Sequence, residues 1–348
     1  MVALGQRSLL ELDQYARSPA VKAWHGVNRR MVVSDSTLER ILGKIDLAEA
    51  RIVLHKCVQV VNAEAALSVE LSSGRSIRIG VVDGSNFGGF TGCAFAVAGM
   101  VATPVDIEMH TKGKELRASR RLLRRISRSF GKRFVDIVIG DGLYMTKDHI
   151  MQCTEELGCE ALIKTTEKGL SLIQDAEGLF ATAFEGAEGI EEASGLDSER
   201  GIKYKVMAAG GFQWDNLPCK FKVARVEEEK LKPKPGQDKY EMFWVITTDQ
   251  SLSGPQMRQL AHMRWQIENN VFKRLNELVG SKRGWIRNAQ VKAVLLVLWL
   301  IGLLVFGYYL LRRGLAKLRQ TYGAVKQTWR FVTRVLLSSI ERMYLAKG

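Results

Sequence analysis

The stretch RSIRIGVVD at residues 75–83 decides the fold class of this chain. It is apolar and rich in β-branched residues, and glycine stands on either side of it, so it predicts a buried strand that ends in Asp83. A second stretch, FVDIVIGD at 134–141, has the nearly continuous apolar character of a strand covered on both faces, and it ends in Asp141. Two strands and a helix are predicted between these stretches, at 92–100, 103–111 and 112–133. With a further helix and strand following, the order predicts an α/β fold.

Composition excludes several classes of protein. The chain has 348 residues, of which 46% are hydrophobic and 25% charged, so it is not disordered, collagen-like or of low complexity. Its five cysteines include no C-x-x-C pair, which argues against a disulfide scaffold and a structural zinc site. The first residues contain no uninterrupted apolar run typical of a secretory signal, so we expect a cytoplasmic, nucleoid-associated protein.

The formal net charge of +14 is unevenly distributed. Residues 112–133 hold ten Lys or Arg and one acid, and residues 312–348 hold nine and one. Residues 175–200 are the reverse, with eight acids and one base. Two separate basic segments favour a polyanionic partner such as nucleic acid, although each could also be a solvated surface.

The basic segment 112–133 is predicted to form an amphipathic helix. Its apolar side is formed by Leu116, Leu122, Leu123, Ile126 and Phe130. The opposite side carries Arg117, Arg120, Arg121, Arg124 and Arg128. Guanidinium groups suit bidentate phosphate contacts, so these arginines are candidate DNA-binding residues, with a solvated helix face as the alternative.

The chain divides into five predicted parts. Residues 1–74 form a helical N-terminal domain, a candidate for DNA binding, with helix-start signals at Ser36 with Glu39 and at Asp46 with Glu49. The remaining parts are the first part of the core at 75–165, a β-rich insertion at 166–243, the second part of the core at 244–311, and a basic helical tail at 312–348.

Three acidic residues are candidates for catalysis. VVDG at 81–84 and IGDG at 139–142 each place an aspartate at the carboxyl end of a buried strand, where ligands gather in open α/β sheets. Asp-Gly after a strand is also a common turn. The third acid, Glu268, lies on a predicted helix four residues after Arg264 and borders core positions, where an acid needs a partner or a metal.

These motifs, in this order, resemble those of DDE transposases of bacterial insertion sequences, in the branch whose ribonuclease H-like core is interrupted by a mostly β insertion. The resemblance implies that Asp83, Asp141 and Glu268 are the catalytic residues and metal ligands. Carboxylates are suitable ligands for two Mg²⁺ or Mn²⁺ ions, typically about 4 Å apart, in an in-line displacement at phosphorus. The substrate would be double-stranded DNA, at element ends and target, held by a homodimer in the paired-end complex and without a membrane.

The chain departs from the signature of this branch on the Glu268 helix. Arg264 and Glu268 match it, but the Tyr position is Ala261 and the Lys position is Leu275. Lys273 and Arg274 are near the Lys position but point elsewhere on an ideal helix, so another base positions the phosphate or activity is weakened. Arg264 and Lys273 are candidate DNA-binding residues. The resemblance also suggests that Trp214, in the insertion, stacks on an extruded base; packing within the insertion is the alternative.

Two rival interpretations remain. The chain could be a catalytically decayed transposase that only binds DNA. Residues 293–311 carry no charge over 19 residues, so a membrane-anchored basic protein is a second alternative. The resemblance instead implies that this apolar segment is a buried helix.

Overall fold

The computed structural model describes residues 34–63, 67–99, 102–182, 188–284 and 286–309, together with residues 9, 10 and 14. These residues form a mixed α/β fold built on one large sheet. Its strands, with a short separate hairpin formed by the first two, are β1 (Val69–Glu70), β2 (Ser76–Ile77), β3 (Ile79–Asn86), β4 (Thr91–Ala98), β5 (Thr103–His110), β6 (Ile137–Asp141), β7 (Glu160–Thr165), β8 (Ile190–Asp197), β9 (Ile202–Gln213), β10 (Lys220–Lys230) and β11 (Tyr240–Thr247).

Helices cover the sheet and connect its strands. They are α1 (Asp35–Leu42), α2 (Leu47–Ala63), α3 (Glu115–Phe130), α4 (Lys147–Met151), α5 (Ser171–Thr182), α6 (Gly254–Met263), α7 (Trp265–Ile267), α8 (Lys273–Val279) and α9 (Ala289–Tyr309). Two π-helical segments extend α4 and join α7 to α8, at Gln152–Leu157 and Glu268–Phe272.

The sheet has nine strands in the order β5-β4-β3-β6-β7-β11-β10-β9-β8. Strands β3, β6 and β7 are parallel neighbours, and every other pair is antiparallel. The strands predicted from their apolar character are confirmed, because their side chains are buried under helices on the sheet. The predicted basic helix is confirmed as α3.

The segment 166–243 is mostly β, as predicted, but its strands continue the core sheet. Strand β11 pairs with β7, with Trp244 opposite Thr165, and β10, β9 and β8 follow outward. The segment begins with α5, which the sequence reading did not assign.

The acidic run also contains the edge strand β8, which was not predicted. The exposed Glu192 pairs with Lys205 on the adjacent strand β9, and the less exposed Glu191 pairs with Lys222 on β10, the next strand of the sheet. Charged side chains on an edge strand oppose pairing with another chain.

The N-terminal segment is helical where it is described up to residue 63, and its two start signals have different outcomes. Asp46 caps α2 as predicted, because its Oδ1 accepts from the backbone N–H of Ala48 at 2.7 Å. The prediction that Ser36 begins the first helix was wrong. Ser34 is the cap and accepts from the N–H of Thr37, whereas Ser36 lies inside the first turn.

The apolar segment forms α9, which packs against α2 and β5. Within the described residues it is the one helix long and apolar enough to cross a membrane, yet 67% of its most apolar window is buried inside the fold. Its surroundings in the fold are therefore those of a buried core helix. Residues 310–311 and the basic tail 312–348 lie outside the described residues.

Candidate functional site

Asp83 and Asp141 lie side by side at one edge of the sheet. Strands β3 and β6 are parallel, with Val81 opposite Ile139, and each aspartate comes two residues later on its strand. Both side chains are partly exposed. The two carboxylates predicted from separate Asp-Gly motifs therefore occupy the same place in the fold.

The glycines of these motifs are required by close packing. A Cβ on Gly84 would lie 2.2 Å from Oε2 of Glu115, and one on Gly142 would lie 2.7 Å from Oγ1 of Thr165. A Cβ on Gly140 would similarly meet the ring of Tyr144 at 2.9 Å. Each aspartate is thus flanked by backbone that admits no side chain, which accounts for the repeated Asp-Gly pattern beyond a simple turn.

Glu115 is a further carboxylate near Asp83, and it was not predicted as a site residue. It opens the basic helix α3 and lies against the backbone of Gly84. Its Oε1 accepts a hydrogen bond of 2.8 Å from the hydroxyl of Tyr144, which is buried and contacts Cys93 Sγ at 3.4 Å. The signal available in the sequence was its isolation as the single acid in a run of ten bases.

Asp83 has an unusual electrostatic environment. Burial raises its pKa to about 7, the Arg264 guanidinium opposes this rise, and the Asp141 carboxylate adds to it. Arg264 donates from Nη1 to Oδ2 of Asp83 at 3.2 Å, and the backbone N–H of Gly84 donates to Oδ1. Near neutral pH this carboxyl group is poised between its two charge states, which is characteristic of functional sites.

Arg264 brings the predicted catalytic helix to the aspartates. This helix begins at Gly254 with Ser253 as its cap and ends before Gly280, as predicted, and it contacts β3 and β4 through α7. Glu268 opens the π-helical turn Glu268–Phe272, a local irregularity frequent at functional sites. Its side chain is exposed and has no hydrogen bond or ion pair with another described residue.

The two departures from the transposase signature point into the core. Ala261 and Leu275 are both fully buried, Ala261 on α6, which packs against the sheet, and Leu275 on α8, which packs against α9. Because both positions are buried, a Tyr or Lys there would have to be accommodated in the core, so the replacements agree with the local packing. Arg264 is the base of this helix that reaches the site, while Lys273 is exposed beyond the π-helical turn.

The carboxylates of the candidate site supply two of the ligands that a divalent metal ion needs, but in the part of the chain that the structure describes they supply no third. Among the described residues, no group of three or more His, Cys, Asp or Glu side chains is arranged to hold a metal ion. Asp83 and Asp141 nevertheless form a hard-oxygen pair whose mutual repulsion and burial a cation would relieve. The pair therefore fits a divalent cation, whereas Glu268 does not join the pair as a third ligand in this arrangement.

The arginine face of α3 is largely paired with acids. Arg120, Arg121 and Arg124 form ion pairs with Asp148, Glu108 and Glu156, respectively. Arg117 and Arg128 are exposed and have no ion pair with a described residue. Three of the five candidate arginines therefore hold neighbouring elements together, and two remain available to a phosphate backbone.

Trp214 packs within its own part of the sheet. Its ring meets that of Phe221 edge-on, with centroids 6.1 Å apart and planes at 77°. Its neighbour Asp215 forms an ion pair of 2.6 Å with Lys147. These contacts are those expected if Trp214 packs within the insertion. Its stacking on an extruded base stays a prediction.

Compared with models of known protein families and with curated proteins, the chain matches none.

Proposed function

We propose that this chain is a DNA transposase that cleaves phosphodiester bonds at element ends and transfers the freed strand to target DNA. The observation that carries the proposal is the placement of Asp83 and Asp141 at adjacent parallel strand ends, with Arg264 of the Glu268 helix joined to Asp83. The sheet order β5-β4-β3-β6-β7, in which β4 alone runs antiparallel to the other four strands, supports a ribonuclease H-like core. A cytoplasmic, nucleoid-associated location goes with this function.

Asp83 and Asp141 would hold the Mg²⁺ or Mn²⁺ that the chemistry requires, and two ions remain the expectation for the complete site. The bound metal supplies activation of the attacking oxygen and stabilisation of the leaving oxygen. Arg264 supplies a fixed positive charge beside Asp83, a position from which its guanidinium would contact the scissile phosphate of bound DNA. Glu268, exposed one turn further along, is oriented toward solvent, where DNA would approach.

A second function, DNA binding without cleavage, is favoured by two observations. The Tyr and Lys positions of the signature are buried as Ala261 and Leu275, and the described carboxylates form no group of three. Neither observation removes the aspartate pair, so cleavage remains the function that the geometry supports best.

A cleavage assay separates the two functions. The purified chain is incubated with Mg²⁺ and a plasmid carrying the DNA that flanks its gene, and 3′-end nicks are mapped. We expect Asp83→Asn, Asp141→Asn and Glu268→Gln each to reduce nicking by about 100-fold or more, with DNA binding kept within about twofold. Glu167→Gln, an exposed acid beyond β7, is the matched control. Binding without any nicking by the unaltered chain would favour the non-catalytic function.

A further inference from the structure

A cleft of about 710 Å³ opens beside the helix that carries Glu268. One wall is this helix, which contributes Trp265, Gln266, Asn269 and Asn270. The opposite wall is the hairpin between β10 and β11, which contributes three lysines at positions 230, 232 and 234. None of these residues takes part in the aspartate site described above.

The acids of the cleft are largely neutralised by their neighbours. Glu228 lies at the base, 3% exposed, and accepts hydrogen bonds of 2.6 Å from Arg258 Nε and His262 Nε2. Glu241 pairs with Lys164 at 3.1 Å. The third acid of the lining, Glu199, is exposed, and Arg200 lies 3.9 Å from Asp197. The three hairpin lysines outnumber this one exposed acid, so the cleft presents a net positive charge to solvent and an anionic ligand suits it.

The hairpin lysines are available to such a ligand. The Lys230 ammonium donates to the backbone carbonyl of Asp238. Lys232 and Lys234 are exposed, and neither ammonium has an ion pair with a described residue. Across the cleft, the Trp265 side chain is 48% exposed although it is a large aromatic ring. An aromatic face opposite free ammonium groups is the arrangement by which single-stranded nucleic acid is held without sequence preference.

The cleft and the candidate site are built on the same helix, although they share no lining residue. Trp265 directly follows Arg264, which contacts Asp83, and Asn269 directly follows Glu268. The helix therefore places the cleft within a few residues of the groups that contact the aspartate pair. The volume lies in the range of about 300–1,000 Å³ that is usual for small-molecule sites, which admits a few nucleotides of one strand but not a duplex.

We propose that this cleft binds a short single-stranded segment of DNA next to the scissile phosphate. The proposal rests on the proposed function, since it identifies the unpaired strand at a cleaved end as the occupant. Lys232 and Lys234 neutralise its phosphates, the ring of Trp265 packs against a base, and the amides of Asn269 and Asn270 contact polar groups of the strand.

The test measures binding of fluorescein-labelled single-stranded oligothymidine by anisotropy, without divalent metal and over a series of salt concentrations. Lys232→Gln combined with Lys234→Gln is expected to weaken binding about tenfold and to reduce the slope of log affinity against log salt by about 1.4, at about 0.7 per phosphate contact. Trp265→Ala is expected to weaken binding about tenfold with no change of slope. Lys203→Gln combined with Lys220→Gln, exposed lysines of β9 and β10 outside the cleft, removes the same charge and should change neither quantity.

A labelled duplex serves as the second probe. The cleft variants should leave its affinity within about twofold, because the duplex does not enter the cleft. The proposal is overturned if the cleft variants bind oligothymidine normally, or if they lose duplex and single-strand binding equally. The binding test contains no metal, so it does not depend on cleavage. If the chain never nicks DNA in the Mg²⁺ assay but its single-strand binding depends on these lysines, the proposed cleavage function is wrong and the proposed cleft is supported.

Discussion

Replacement of Asp83 by asparagine is expected to stabilise the metal-free protein at alkaline pH while removing its activity. Burial beside Asp141 raises the Asp83 pKa from 3.8 to about 7, although Arg264 opposes the rise. The native state therefore holds this proton more tightly than the unfolded state. Stability falls as the pH rises from about 4 to above 7, because ionisation in the folded protein is the costly step.

The magnitude follows from the size of this shift. At about 1.4 kcal/mol per pKa unit, the raised pKa of Asp83 costs the fold about 4 kcal/mol at pH 8 and about 1.7 kcal/mol at pH 5, relative to a group that stays neutral in both states. Asparagine has nearly the same shape and no charge. The free energy of unfolding of Asp83→Asn minus that of the wild type should therefore grow by about 2.5 kcal/mol between pH 5 and pH 8.

Urea unfolding in EDTA at the two pH values measures this difference directly. Asp175→Asn, an exposed acid on α5, shows how much of the effect comes from removing any one negative charge. If the difference between Asp83→Asn and the wild type is the same at pH 5 and pH 8, then the reasoning about Asp83 is wrong. Added Mg²⁺ at pH 8 should stabilise the wild type and not the variant, because only the wild type keeps the carboxylate pair.

Three further outcomes are expected. Arg117→Glu combined with Arg128→Glu should weaken duplex binding and its salt dependence more than Arg124→Glu, whose parent side chain is held by an ion pair; equal losses in a salt titration would contradict this. Burial lowers the pKa of Lys292 to about 8, so unfolding in urea should show the wild type gaining about 2.5 kcal/mol relative to Lys292→Met between pH 7 and pH 10, and a constant difference would count against a buried ammonium. Trp214→Ala should lower the free energy of unfolding by about 2 kcal/mol or more and leave the nicking pattern unchanged, whereas lost nicking in a stable variant would restore the stacking role.

The sequence alone was sufficient for the inner strands and for the aspartates at their ends. Strands β3 and β6 are buried on both faces, so their apolar runs were unmistakable, and a parallel pair necessarily brings its carboxyl ends to one edge. Edge strand β8 was not predicted because its acids belong to a run that resembles a solvated charged segment, and α5, at the start of the same run, was not predicted either. The local sequence pattern does not reveal a strand whose charged side chains form ion pairs with other strands, because those partners are distant in sequence.

The partners of the candidate site were decided only by the tertiary structure. The hydrogen bond between Arg264 and Asp83 spans 181 residues, and Glu115 reaches Gly84 because α3 packs against β4 and β5. The same packing turned three arginines toward acids that no spacing on the helix could have identified. Sequence periodicity predicts which face of a helix or strand is buried. The groups that contact that face come from distant parts of the chain, and their positions depend on how the whole sheet and its helices pack.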